Sequence, residues 1–112
     1  MRQVNDNIIP VQAAATVTTA AIPALNLFYC SAQMAATGSP IGTMKLQASN
    51  DDPTSPTTPP ANWSDIPSAT VSVSGAGAFL IPKIELCYQW VRIVYTNSGS
   101  GTISVVFKAL GA

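Results

Sequence analysis

The chain has 112 residues, the size of one domain with one hydrophobic core. Only 9% of its residues are charged, against about 25% in ordinary soluble domains, and five basic residues balance five acidic ones. A neutral chain without a basic stripe excludes the electrostatic surface that nucleic-acid binding needs. No run of about 20 apolar residues occurs, so we expect no membrane-spanning helix, and the polar residues after Arg2 argue against a cleaved signal peptide.

The low charge has two interpretations. A neutral surface with so few charges is prone to association, and covering it with further copies of the same chain is one way to tolerate this. The alternative is a monomer kept soluble by the Ser, Thr, Asn and Gln residues that make up much of the remainder. Composition alone does not distinguish the two.

The first third of the chain predicts extended strands, because no stretch combines a helix start, a 3.6-residue apolar period and a helix stop. Residues 8–17 predict a strand near a sheet edge, since Pro10 cannot donate to a central ladder. Residues 25–34 predict a strand with two distinct faces, and residues 37–40 predict a turn. The predicted faces carry Leu25, Leu27 and Tyr29 on one side and Phe28, Cys30 and Ala32 on the other.

The middle third joins a half-buried strand to an irregular segment. Residues 42–49 alternate between apolar and polar side chains, as a half-buried strand does. The predicted inward residues are Met44, Leu46 and Ala48, and the predicted outward residues are Lys45, Gln47 and Ser49. Residues 50–62 are rich in proline and predict a polyproline-like, semi-rigid loop. Residues 63–66 and 69–74 then return to extended structure, with Val71 and Val73 inward.

The last third predicts the strongest strands. Residues 75–77 predict a turn, and residues 78–81 a strand that Pro82 ends. Residues 88–96 are aromatic and β-branched, and the turn at 97–101 predicts a β-hairpin with residues 101–110. About eight short strands predict an all-β fold, a two-sheet antiparallel β-sandwich or jelly roll. We expect a single domain over residues 1–112, with an extended N-terminal segment 1–12 and the Pro-rich loop 50–62.

The strand at 88–96 is apolar on both faces. Its two faces carry Tyr88, Trp90 and Val94 on one side and Val91, Ile93 and Tyr95 on the other. In a two-layer sandwich only one face meets the core. The other face is therefore covered either by a loop or the N-terminal segment of the same chain, or by a partner subunit.

The residue types argue against catalysis. The chain has no histidine, which removes the commonest general base and every Ser-His or Cys-His nucleophile pair. Its carboxylates lie mostly in or beside the proline-rich loop, where they predict a solvated turn rather than a site. We therefore expect no enzyme, no metal and no cofactor. Cys30 and Cys87 share no metal spacing, and two buried free thiols are favoured over a disulfide.

Three motifs resemble those of a known group of proteins. They are Leu46-Gln47-Ala48-Ser49-Asn50-Asp51, Asn62-Trp63-Ser64-Asp65-Ile66 and Tyr88-Gln89-Trp90-Val91-Arg92-Ile93. The pattern resembles the small β-sandwich structural proteins of tailed bacteriophages and prophages, and is similar to discoidin-like jelly rolls. The resemblance covers residues 42–112. The sequence departs from that group at the proline-rich loop, where relatives have a tight Asp-Gly turn. The resemblance identifies no ligand site in this chain.

The resemblance and the low charge together predict a non-enzymatic virion protein, in a head, neck or tail or decorating one, assembled in the host cytoplasm. Its expected partners are further copies of itself and other virion proteins, with no nucleic acid and no membrane. The residues predicted at subunit contacts are Ile8, Ile9, Pro56, Pro59, Pro60, Trp90 and Tyr95. The alternative is a carbohydrate-binding module that adsorbs to host glycans through Trp63, Asp51 and Asp52, since aromatic rings stack on sugars.

Overall fold

The computed structural model describes residues 3–51 and 60–111, and these residues form nine β-strands and no helix. The strands are β1 (Gln3–Ala13), β2 (Val17–Thr18), β3 (Ile22–Pro23), β4 (Leu27–Ser39), β5 (Ile41–Ser49), β6 (Ser64–Ser74), β7 (Gly77–Glu85), β8 (Trp90–Asn97) and β9 (Ser100–Gly111). Within the described ranges, no helix has the length and apolar character needed to cross a membrane.

The strands form two antiparallel sheets. The first sheet has the order β1-β9-β4-β7, and the second has the order β2-β8-β5-β6, with β3 pairing β8 next to β2. Apart from β5 and β6, which are consecutive in the chain, neighbours within each sheet come from distant parts of the chain, which is the interleaved strand order of a jelly roll. The predicted all-β fold of two packed sheets is confirmed. Residues 8–17 were predicted as one edge strand; β1 is an edge strand, but it ends at Ala13 and residues 17–18 join the other sheet.

The core lies between the sheets. Because successive side chains of a strand point to opposite faces, every second residue points into the core. The predicted inward residues of β5, Met44, Leu46 and Ala48, are buried there. The largest fully buried side chains are Tyr95, Phe107, Ile9, Met34, Met44, Leu46, Ile81, Ile93, Ile103, Val73, Val91 and Val105. Ser49 was predicted to point outward but is buried, because the strand ends there and its hydroxyl accepts a hydrogen bond from the Asp51 backbone N–H at 3.2 Å.

The predicted faces of β4 are wrong at its start because of a β-bulge. Leu27 pairs with Gly111 and Tyr29 with Leu110, so Phe28 is an extra residue in the strand. Phe28 and Tyr29 are consequently both exposed, while Leu27 is buried. After the bulge the alternation is regular, and Cys30 is buried as predicted.

Two predicted strand ends and one predicted hairpin are also wrong. Residues 37–39 continue β4 instead of turning, and only Pro40 separates β4 from β5 in the other sheet. Residues 98–99 lead from β8 in the second sheet to β9 in the first, so these two strands do not pair. Pro82 lies inside β7, which is tolerated because β7 is an edge strand and is bulged at this position.

Candidate functional surfaces

The two ends of the sandwich differ in their connections. At one end the sheets are joined by the short connections at residue 40, residues 75–76 and residues 98–99. The opposite end, here called the loop end, comprises residues 24–26, 50–51, 60–63 and 86–89. Binding residues are most often found on loops that a rigid scaffold positions. The loop end is therefore the first place to search for a site.

Asp51 organises the base of the proline-rich loop. One carboxylate oxygen accepts the backbone N–H groups of Ala61 and Asn62 at 2.6 and 2.9 Å, and the other accepts the Asn62 side-chain amide at 3.0 Å. Its own backbone carbonyl accepts the indole N–H of Trp90 at 3.2 Å. These bonds join the two ends of the loop, so the predicted glycan residue Asp51 has a structural role here.

Replacing Asp51 with Asn is expected to loosen this loop base without unfolding the sandwich. Hydrogen bonds, first from the Asn62 side chain and then from the Asn62 and Ala61 backbone, lower the pKa of Asp51 below its usual range. Because the folded-state pKa is the lower one, this stabilisation is complete above the ordinary carboxyl pKa and is lost as pH falls through the lowered value. Amide hydrogen exchange at Ala61 and Asn62 measures the effect. Unchanged exchange in Asp51→Asn would contradict this role.

Two hollows share the loop end. One, of about 460 Å³, runs between residues 24–28 and 86–89 and has the exposed side chains of Leu25 and Phe28 at its rim. The other, of about 180 Å³, lies beside Ser64 and Asp65. Asn50 and Tyr88 line both hollows. Aromatic rings beside side-chain amides can contact a ring-shaped polar ligand such as a sugar.

The outer face of the second sheet is a hydrogen-bonded polar network. Arg92 donates to Gln47 at 2.9 Å, and Gln47 donates to Asp65 at 2.9 Å, across three neighbouring strands. Lys45 forms an ion pair with the same carboxylate at 3.2 Å. The Arg92 guanidinium stacks over the Trp63 ring at 4.3 Å, and these groups satisfy one another without a ligand.

The carboxylates of the loop end and of this network are poorly suited to acid catalysis. Hydrogen bonds from the Gln47 and Lys45 side chains lower the pKa of Asp65, as other bonds lower that of Asp51. A general acid at neutral pH needs a raised pKa instead. In the described part of the chain no three His, Cys, Asp or Glu side chains group as metal ligands would.

The outer face of the first sheet exposes several large apolar side chains, whereas the second sheet exposes Ile41 at the start of β5. Leu80 and Val106 flank Gln33 from the two neighbouring strands, and Leu110 lies opposite Tyr29. Their exposed fractions are 55% for Leu80, 41% for Val106, 38% for Leu110 and 40% for Tyr29. We call these four residues the apolar face. Such an exposed group on a small protein is typical of an interaction surface.

The structure separates the predicted contact residues. Ile9 and Tyr95 lie in the core between the sheets, so their side chains have no surface to offer a neighbour. Ile8, Pro60 and Trp90 are half-buried. Pro56 and Pro59, and the glycan candidate Asp52, lie outside the described residues. Trp63 is half-buried, and its indole N–H donates to the Pro60 carbonyl at 3.0 Å.

The two cysteines are both free thiols, but only one is buried as predicted. Cys30 lies in the core, and burial raises the pKa of its thiol to about 12, which keeps it protonated and unreactive. Cys87 is exposed in the 460 Å³ hollow, because residues 86–89 form a connection and not a strand.

Comparison of the chain with protein-family models, with curated proteins and with solved structures found no match. Sequence reasoning missed the apolar face, although Val106 stands between Val105 and Phe107 in a strand whose other outward positions include Ser104 and Lys108. An apolar residue that points outward between two inward-pointing residues is the sequence pattern that predicts an exposed apolar face.

Proposed function

We propose that this chain is a non-enzymatic structural protein of a bacteriophage virion, which acts by assembling with copies of itself and with other virion proteins. The observation that carries the proposal is the asymmetry of the two outer faces. The second sheet's outer face satisfies its polar groups internally, whereas the first sheet's outer face exposes Leu80, Val106, Leu110 and Tyr29. Burying a Val or Leu side chain at a contact contributes about 1.5–3 kcal/mol.

Two further features support assembly. The low charge of 9% leaves few charged groups to desolvate when copies pack together. Jelly rolls are common among viral capsid domains, although they also occur in lectins and cupins, so this support is an analogy at the level of fold. The motifs at 46–51, 62–66 and 88–93 that resemble phage structural proteins point the same way.

Light scattering over a concentration series tests self-assembly. We expect the wild-type chain to have a mass that is a defined multiple of the monomer, and Leu80→Lys with Val106→Lys to be monomeric, because two ammonium groups would be desolvated at the contact. Thr18→Lys with Ser72→Lys adds the same charge to exposed positions on the second sheet and should leave the mass unchanged. A wild-type chain that stayed monomeric at every concentration would contradict self-assembly. The virion location is tested separately, by mass spectrometry of purified phage particles.

The second candidate is a carbohydrate-binding module. The 460 Å³ hollow favours it, because Phe28 and Tyr88 lie there beside the amide side chains of Asn26, Asn50 and Gln89. The predicted glycan residue Trp63 is less suited, since Arg92 stacks on its ring. A monomeric protein that binds a glycan array, with binding lost in Phe28→Ala and kept in Trp63→Ala, would favour this function over assembly.

A further inference from the structure

Two lysines lie around one hollow on the outer face of the first sheet. Ser31 of β4 is the centre of this arrangement, with Lys108 of β9 directly opposite it on one side. On the other side, Pro82 and Lys83 of β7 together oppose Ser31. The hollow has a volume of about 240 Å³, and Tyr29 and Leu110 complete its wall. We call it the lysine hollow.

The bulge in β7 places Lys83 at this hollow. Cys30 pairs with Ile84 and Ala32 with Ile81, so β7 has one more residue than β4 over this interval. Ile81 is buried and Ile84 packs against the core, while Pro82 and Lys83 are both exposed. An unbulged strand would turn one of these two residues inward, and bulges commonly redirect side chains next to binding sites. The Lys83 ammonium lies 4.9 Å from the centre of the Tyr29 ring, which fixes it above the hollow.

Among the described residues, the two charges of the lysine hollow are not ion-paired, although Glu85 of β7 lies two residues from Lys83, opposite Tyr29. Lys45, on the other sheet, is paired with Asp65 at 3.2 Å, but neither Lys83 nor Lys108 forms an ion pair with any described carboxylate. Their strands are separated by one strand, so their backbones are about 10 Å apart, a distance two long side chains can close on one anion. Like charges gathered on one sheet face repel each other, and a bound anion would remove that repulsion.

We propose that the lysine hollow binds an anionic group, a carboxylate, sulfate or phosphate, that is attached to an aromatic or aliphatic body. The Lys83 and Lys108 ammonium groups bind the charge, and the Ser31 hydroxyl lies between them as a further donor. The Tyr29 ring and the Leu110 side chain contact the body of the ligand. The site shares Tyr29 and Leu110 with the apolar face, so a small anion reaches it in the monomer and competes there with self-assembly.

Titration of ¹⁵N-labelled protein with four probes tests this site. Phenyl phosphate and benzoate carry a ring and a charge, inorganic phosphate carries the charge alone, and benzyl alcohol carries the ring alone. We expect saturable shifts of the Ser31, Lys83 and Lys108 amides with the ring-bearing anions, weaker binding of inorganic phosphate and none of benzyl alcohol. Comparing benzoate with phenyl phosphate shows which anionic group the site prefers. Binding should weaken as salt is raised, since both ammonium groups are at the surface.

The variant Lys83→Gln with Lys108→Gln is expected to weaken phenyl phosphate binding about tenfold or more, because two charge-assisted bonds are lost. Lys45→Gln with Arg92→Gln removes the same charge from the other outer face and should leave binding unchanged. Equal losses in both variants would show only a general effect of net charge and would overturn the site. Shifts in wild type that do not saturate, or that centre on other residues, would overturn it as well.

Discussion

Replacing Gly42 with Ala is expected to destabilise the protein by about 3 kcal/mol, a large part of the stability of a domain this size. Gly42 lies in β5, opposite Asn97 of β8. A Cβ atom at this position would lie 1.7 Å from the Thr96 carbonyl oxygen and 2.8 Å from its carbon. Both are backbone atoms, so relief requires two central strands of the second sheet to separate. Urea unfolding followed by tryptophan fluorescence, at one protein concentration, measures the loss.

Gly75→Ala is the matched control for this substitution. Gly75 has a φ of 85°, a conformation that costs a residue with a Cβ about 1 kcal/mol, but a Cβ there would meet nothing within 4 Å. The Gly75→Ala variant therefore introduces backbone strain but no steric clash of the new Cβ atom. If Gly42→Ala cost no more than Gly75→Ala, the close approach of β5 to β8 would be contradicted.

Replacing Asn97 with Ala is expected to cost about 2–3 kcal/mol, because it leaves buried polar groups without partners. The Asn97 side chain accepts the Tyr95 hydroxyl at 2.7 Å and donates to the Gly99 and Ala14 carbonyl oxygens at 2.9 and 3.3 Å. The Tyr95 side chain is fully buried, so water cannot replace the lost acceptor at no cost. The same unfolding measurement reports the change.

A double-mutant cycle with Tyr95→Phe isolates the contact between these two side chains. Tyr95→Phe removes the hydroxyl and is expected to cost about 1 kcal/mol. Once the hydroxyl is absent, Asn97→Ala leaves one fewer group unpaired, so the double variant should cost less than the sum of the single ones, by about 1 kcal/mol. Simple additivity would mean that the hydroxyl does not depend on Asn97.

The fold class could be predicted from the sequence because it depends on residue type and period. Strand β5 is the clearest case, where Met44, Leu46 and Ala48 alternate with polar residues and are all buried. What could not be predicted depends on pairing between distant segments. A connection at 98–99 has the same composition whether the strands it joins pair in one sheet or lie in different sheets. The bulge at Phe28 arises only from the register of β4 against β9.

The candidate surfaces also depend on contacts between distant segments, which the sequence alone does not predict. Residues 50–62 were predicted as an irregular loop, most of which lies outside the described residues. The role of Asp51 depends on its distance from Ala61 and Asn62, which a linear sequence does not contain. Lys83 and Lys108 are 25 positions apart in the sequence, and only the order β9-β4-β7 brings them to one hollow. Ile9 was predicted at a subunit contact as part of an extended N-terminal segment, yet its side chain points into the core.

The position of β9 in the first sheet has a consequence for how the chain folds during synthesis. It lies between β1 and β4, and it is the last of the described strands to leave the ribosome. Until then, the edges of β1 and β4 that will meet it lack their hydrogen-bonding partner, and unpaired edges promote aggregation. Pairings this distant in sequence also fold slowly. Yield in a host cell should therefore depend on chaperones that hold the nascent chain until β9 has been synthesised.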